Sequence, residues 1–313
     1  MTNAQSVADR RLGAQPKRSR SRPPASRHGL PPWWVVLPAV LGVGIVHFIF
    51  PTIGGFFAFT DWRGVGPFEF VGFDNFVRMF QEPIVRDSFF RTLALTIGFV
   101  ILTSVFGILL ALALNSNLKS RQPLRALFFL PFVISPLATA YVWQYVFGYA
   151  GPLNQILGAI GLKDLQQVWL GDPDVAIFSI LVVMIWQYVG LAMILYLAGL
   201  QNVPDEVLEA AMLDGAGPWK RFRLIILPYL APAMTVATVL LTLWGLRVFD
   251  QVIALTGGGP VGATETLSTQ IWRQVWVNGN FGYGAAISIT LTIIVIAVTL
   301  TQTLILRRRE NNV

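Results

Sequence analysis

Cysteine is absent from all 313 residues, which excludes disulfide scaffolds, thiolate zinc sites, iron–sulfur clusters and a cysteine nucleophile. His28 and His47 are the only histidines, so a multi-histidine metal centre is excluded as well and no cofactor is expected. Charge is scarce. Asp, Glu, Lys and Arg make up 12% of the chain, against about 25% in a soluble domain. No paired carboxylates and no nucleophile beside a base can be found, so the chain does not read as an enzyme. What fills the sequence instead is apolar: 54% of residues are hydrophobic, with 19 prolines and 28 glycines spread among them. That is the composition of a membrane protein.

Six apolar stretches are long enough to cross a hydrocarbon core of ~30 Å, which takes roughly 20 helical residues. They fall at about Trp34–Phe59, Thr92–Leu114, Arg125–Phe147, Val175–Gly199, Leu227–Val248 and Tyr283–Leu306. An all-α, six-span architecture follows. Pro131 and Pro136 interrupt the third span and Pro232 the fifth. Such breaks survive in lipid where neighbouring helices satisfy the freed carbonyls, so these spans belong inside a bundle.

Lys and Arg set the orientation. Of the 23, seven lie in the tail between Arg10 and Arg27. Lys119, Arg121 and Arg125 follow the second span, Lys220, Arg221 and Arg223 the fourth, and Arg307, Arg308 and Arg309 the sixth. These sixteen share one side, so both termini are expected in the cytoplasm of a prokaryotic cell. The opposite side has Arg63, Arg78, Arg86, Arg91, Lys163 and Arg273, offset by Asp61, Glu69, Asp74, Glu82, Asp87, Asp164, Asp172, Asp174 and Glu265. Residues 1–32 are rich in Arg, Ser and Pro without apolar periodicity and read as a disordered basic tail. Anchoring beside anionic lipid explains that tail better than a nucleic-acid arm does. Arg10-Arg11 resembles a twin-arginine export signal, but the apolar run begins some twenty residues later and lacks a small-residue cleavage site. The expected organisation is the tail (1–32), a first span with its outer loop (33–90), a transmembrane domain (91–306) and a short basic end (307–313).

One cytoplasmic loop differs from the others. Residues 201–223 read QNVPDEVLEAAMLDGAGPWKRFR. Pro204 suits the first position of a helix, and Asp205 and Glu206 favour its positive end. Leu208, Ala211 and Met212 fall at i, i+3, i+4 as an apolar stripe, and Gly215 can stop the helix in a left-handed conformation. Trp219, Phe222 and the cations at 220, 221 and 223 suit a membrane interface. On these grounds alone the stripe is equally suited to a protein partner and to the lipid surface.

The residues of this loop resemble a known motif. Glu209-Ala210-Ala211, Asp214-Gly215-Ala216, the aromatic Phe222, then Leu227-Pro228 and Pro232 are similar to the EAA loop of type I ABC importer permeases. The spacing, the side of the membrane and the position between the fourth and fifth spans agree. VGFDNFVRMF (Val71–Phe80) and LTGGGP (Leu255–Pro260) resemble the sugar branch, of the maltose/glycerol-3-phosphate first-subunit type. The resemblance covers roughly Arg91 to the C-terminus. It implies the type I importer permease fold and a coupling helix at Val207–Gly215. There Leu208, Glu209, Ala210, Ala211, Met212, Asp214, Gly215 and Ala216 would meet a separate ATPase subunit. It also implies a second related permease, two ABC ATPase subunits and an extracytoplasmic sugar-binding protein as partners, beside the lipid bilayer and without nucleic acid.

A sugar site wants aromatic faces and hydrogen-bonding groups between helices near the bilayer midplane. Leu241, Trp244, Gly245 and Val248 stand on one face of the fifth span, and Gln187, Tyr188 and Leu191 cluster in the fourth. The resemblance implies that these are sugar-contacting positions. The family often has Asn where this chain has Gly245 and Val248, which leaves Trp244 as the stacking residue; ordinary helix packing is the competing explanation. Arg247 and Asp250, three apart near the outer end of the fifth span, suit a gating or structural pair more than a substrate contact. His47 reads as a packed or snorkelling residue. GGGPVGAT (257–264) has phosphate-loop spacing but Ala263 where the lysine must be, so it reads as a turn-rich outer loop. A secondary transporter would need intramembrane acids or histidines for ion coupling, and a lipid-linked glycosyltransferase would need clustered acids; the spans have neither, apart from the peripheral Asp250. A neutral oligosaccharide is preferred over glycerol-3-phosphate, because the only cation near the cavity is Arg247.

Overall fold

The computed structural model describes residues 33–115 and 120–310. The basic tail, Lys119 and the side chains of Arg307, Arg308 and Arg309 lie outside the described residues. Among those described, the regular secondary structure is helical apart from one isolated antiparallel bridge between Thr60 and Phe70. In chain order the helices are α1 (Trp33–Gly44), α2 (Phe50–Phe57), α3 (Asp74–Gln81), α4 (Pro83–Leu114), α5 (Arg121–Val133), α6 (Pro136–Val146), α7 (Pro152–Ala159) and α8 (Pro173–Leu200). After these come α9 (Asp205–Leu213), α10 (Pro218–Arg221), α11 (Leu227–Tyr229), α12 (Ala231–Leu246), α13 (Asp250–Thr256), α14 (Leu267–Trp272) and α15 (Phe281–Glu310).

The chain forms two contact units, Met1–Pro51 and Thr52–Val313. In the first, α1 runs into a π-helical turn at Ile45–Ile49. His47 sits in that turn, exposed, with Nδ1 3.2 Å from the Val43 carbonyl oxygen. Its polar ring therefore finds a partner on its own helix.

Among the described residues, four helices are individually long and apolar enough to cross a membrane: Trp34–Phe57, Pro83–Leu114, Pro173–Leu200 and Phe281–Leu306. The other two expected spans are not single helices. The third consists of α5 and α6, bent by 99° at a break, and the fifth of Pro218–Tyr229 and Ala231–Leu246, bent by 70°. The fifth crossing helix thus starts at Ala231 and ends at Leu246, and its expected flanks, Leu227–Leu230 and Arg247–Val248, lie outside it. The second span starts earlier than hydropathy indicates, at Pro83. Its 32 residues make a rod of roughly 48 Å, longer than the hydrocarbon layer, and the expected 90/91 boundary falls inside it.

Proline chemistry explains the 99° bend. A residue before proline is driven out of the helical region, and Ser135, preceding Pro136, has φ −60° and ψ 142°. Ser135 then caps α6, its hydroxyl accepting from the Ala138 amide at 3.2 Å. That leaves the Ile134 carbonyl without its helical donor. Gln187 of α8 supplies one, its Nε2 donating to Ile134 O at 3.1 Å. In α4, Ser88, Thr92 and Thr96 return their hydroxyls to carbonyls four residues back, so these three side chains are satisfied within the helix.

The core of the second unit is built on α4 against α8, with α5, α12 and α13 around them. One cluster joins Phe99, Ile180, Met184, Tyr188, Leu241 and Val252, and another joins Ala111, Met193, Tyr196, Leu200 and Leu230 toward the other end of α8. Apolar helices gain little by leaving apolar lipid, so contact between them depends on close backbone approach at small residues. Gly190 is the tightest case: a Cβ there would overlap the carbonyl of Phe128 on α5.

On the opposite end from the 201–223 loop, Asn75 of α3 is buried and donates to the carbonyls of Ala58 and Thr60, both at 2.8 Å. Tyr283 donates to Glu82 at 2.8 Å, with Arg78 stacked 4.2 Å above the Tyr283 ring. The 257–264 segment is a loop, as its composition suggests. The Glu265 carboxylate beneath it is 1% exposed and is paired with Arg273 and the Thr269 hydroxyl. Thr264 donates to the Gly259 carbonyl at 2.7 Å, so the hydroxyl that a phosphate loop would offer a metal is engaged in holding the turn.

Replacing Gly190 with Ala is expected to force α5 off α8 and destabilise the fold by about 1–3 kcal/mol. Gly98→Ala, whose methyl would meet only Leu181 Cδ2 at 3.4 Å, is the neutral control. Thermal unfolding of the two purified variants in detergent measures the difference.

Candidate functional site

Two regions collect the residues that sequence reasoning singled out. The first lies halfway along α8. Gln187 is 1% exposed and bridges two elements: besides donating to Ile134 O, its Oε1 accepts from Gln251 Nε2 of α13 at 3.1 Å. Tyr188 sits beside it, and its ring lies 4.9 Å from Trp244 of α12, tilted 35°. Phe132 of α5 is 5.9 Å from both rings, and Phe99 of α4 packs edge-on to Tyr188 at 5.4 Å. Four helices thus bring one aromatic group together near the middle of the bundle, next to an amide pair. Trp244 and Leu191 stay half-exposed, whereas Leu241 and Val248 are buried in the packed core. Gly245 faces α4, where a Cβ would stand 2.8 Å from Thr96 Cγ2. The expected single face of the fifth span is therefore divided: Trp244 is the member left partly open, and Gly245 and Leu241 serve helix contact.

Val248 is not on that helix at all. The chain leaves helical geometry at Arg247 (φ −107°, ψ 16°) and resumes at Asp250. The freed Val248 carbonyl accepts from the Thr266 hydroxyl at 3.1 Å. The same break separates Arg247 from Asp250. Both are exposed, and they form no ion pair among the described residues. The i, i+3 relation expected of them required one continuous helix, which the break removes.

Gln251, Phe132 and Thr266 were missed by sequence reasoning. Gln251 left a faint signal as an amide directly before the apolar run VIAL. Phe132 left none, since nothing in the apolar run FFLPFV marks which aromatic reaches Tyr188 and Trp244.

The second region is the 201–223 loop. α9 begins after Pro204 and carries Asp205 and Glu206 in its first turn, where the helix dipole favours them. It ends in a Schellman arrangement: the Ala216 amide donates to Ala211 O at 2.9 Å and the Gly215 amide to Met212 O at 3.1 Å. Gly215 takes φ +75° there, a conformation that glycine adopts without a Cβ clash. The apolar stripe is split. Leu208 and Ala211 are half-buried toward the protein, while Met212 (51% exposed) and Leu213 (90%) project outward. Glu209, Ala210 and Asp214 are exposed beside them, and Ala216 is half-buried. A π-helical turn at Phe222–Ile226 then leads to α11 and the bend at Leu230.

Comparison with known proteins gives this geometry a setting. Residues 103–311 match the family described as binding-protein-dependent transport system inner membrane component. The chain is 35% identical over 252 residues to the multiple sugar-binding transport system permease protein MsmF of Streptococcus mutans, covering 80% of this chain and 86% of that one. It is 37% identical over 237 residues to the trehalose/maltose transport system permease protein MalF of Thermococcus litoralis, covering 75% and 79%. Among solved structures, it is similar to a chain of a bacterial ABC transporter involved in the import of the acidic polysaccharide alginate. The TM-score is 0.77 at 26% identity, over 88% of this chain and 94% of that one. The fold is that of ABC importer permeases, multi-pass and helical, and these relatives are permease subunits rather than enzymes. The chain belongs to the family of binding-protein-dependent transport system inner membrane components.

Proposed function

We propose that this chain is one permease subunit of an ATP-driven importer of sugars, with a neutral oligosaccharide as the favoured cargo. The observation that carries the proposal is α9: a short exposed helix with Met212 and Leu213 outward, Glu209 alongside, and a glycine-closed end. Exposed leucine and methionine on a loop helix call for a protein surface, and a separate ATPase supplies one. Relatives named for sugars, trehalose/maltose among them, support the cargo. The partners are a second related permease, two ABC ATPases and an extracytoplasmic sugar-binding protein. A second similar structure is a bacterial alginate ABC transporter in complex with an alginate pentasaccharide-bound periplasmic protein. The basic loops support a cytoplasmic location for the 201–223 segment and both termini.

In this mechanism, closure of the ATPase pair on ATP pushes α9. The bundle rocks, closing the inward path and opening the cavity toward the binding protein. Driving such an equilibrium from 1:99 to 99:1 takes about 5.5 kcal/mol of bias. Trp244 and Tyr188 would stack on the sugar ring once the helices part, with Gln187 and Leu191 beside them. Leu241, Gly245 and Val248 would hold the fifth span in register behind this wall, and the exposed Arg247 and Asp250 would line the outer gate.

Gly215→Ala places a Cβ in a left-handed position at a cost of about 1–2 kcal/mol and should turn the end of α9. Together with Glu209→Ala, it is expected to lower uptake of a radiolabelled disaccharide panel by about tenfold or more. Membrane insertion, followed by immunoblot of the membrane fraction, should not change. Unchanged uptake in both variants would refute coupling through α9. Trp244→Ala should abolish uptake of whichever sugar the panel identifies while ATP hydrolysis by the reconstituted complex persists, and Trp244→Tyr should restore part of it. Equal uptake by Trp244→Ala and wild type would remove Trp244 from the translocation path.

A further inference from the structure

A groove of about 890 Å³ runs between the last turns of α4 and the 201–226 segment. Its walls are apolar: Val105, Leu109 and Leu112 from α4, Leu208 from α9, and Trp219 and Phe222 beyond it. One charged side chain lines it, Arg221. That guanidinium forms no ion pair among the described residues, and its Nε is shielded from solvent without a hydrogen-bond partner. The acids of α9, Asp205, Glu206, Glu209 and the neighbouring Asp214, are exposed and do not line the groove.

We infer that this groove holds one phospholipid of the cytoplasmic leaflet, with an acyl chain along α4 and an anionic head group on Arg221. Three observations converge on that occupant. Position is the first. Val105 lies nine residues before Leu114, the end of α4, so the groove occupies the final ~13 Å of the helix, the depth of one leaflet's hydrocarbon. Chemistry is the second. An apolar trough whose one lining charge is a cation without an ion pair among the described residues is complementary to an acyl chain ending in phosphate, and basic pockets between spans on this side of a membrane bind anionic head groups. The third is the rim: Trp219, exposed Lys220 and exposed Arg223 form the aromatic and cationic edge that sits at head-group level. Since α9 packs Leu208 against the same trough, the lipid would brace the helix that the Proposed function assigns to coupling. The inference rests on that reading for the cytoplasmic side only.

The test is native mass spectrometry of the assembled transporter, lipid-depleted in detergent and titrated with dioleoylphosphatidylglycerol or dioleoylphosphatidylcholine. Adducts are counted on this chain after release of the subunits. The expected result is one phosphatidylglycerol adduct, with affinity about tenfold lower in Arg221→Gln, the worth of one charged hydrogen bond, and retained in Arg221→Lys. Leu109→Trp, which fills the trough, should remove the adduct. Equal retention of both lipids, or a phosphatidylglycerol adduct indifferent to Arg221→Gln, overturns the proposal. So does a photo-cross-linker at position 109 that captures a polypeptide instead of lipid in membranes. Binding is read without transport, so loss of the importer reading would appear in uptake and leave these adducts unchanged.

Discussion

The carbonyl of Ile134 has no helical donor, and inside a membrane it has no water either. A buried carbonyl left unmet costs several kcal/mol in hydrocarbon, so the 99° bend between α5 and α6 can exist only where another helix answers it. Gln187 does so from the middle of α8, and Gln251 ties the same amide to α13. A second break, at Arg247–Phe249, is met in the same way when Thr266 donates to Val248 O. The bundle is organised around these two breaks and the side chains that satisfy them. Because each freed carbonyl is matched by a group from a different element, the broken segments are held in one arrangement.

The same constraint shapes the candidate translocation site. Phe132, in the last turn of α5 before the bend, packs against Tyr188 and Trp244. The polar bridge answers the break made at Pro136, and the aromatic wall stands directly beside it. A site built at a helix break is also suited to movement, since few backbone bonds need to be remade for α6 and α13 to shift against the continuous helices α4 and α8.

The 201–223 loop obeys a different rule. It lies at the edge of the bundle, where water and lipid meet, and its helix is too short to stand by itself. The charges of Asp205 and Glu206 in its first turn, a glycine-closed terminus and the anchoring of Leu208 and Ala211 hold it in shape. These local devices leave Met212 and Leu213 outward and leave Arg221 over an apolar trough. One short segment thus presents one face for a protein surface and another for the membrane.

Much of this was legible in the residues. Scarce charge and long apolar runs declared a membrane bundle, because burying charge in lipid is costly whatever the fold. The path of α9 could be read from Pro204 to Gly215, because caps and dipoles act within one or two turns. Pro136 and Pro232 announced breaks, since a proline denies its own amide to any helix, whereas α5 runs through Pro131 without one. Tertiary structure alone decided which partner would answer each break. Gln187, Gln251 and Thr266 stand 53, 64 and 18 residues from the groups they bind, and no periodicity links positions so far apart. It also decided which side of the fifth span is packed and which is open. Both faces are apolar, and in lipid the choice between them is made by close contact, such as Gly245 against Thr96, rather than by hydrophobicity.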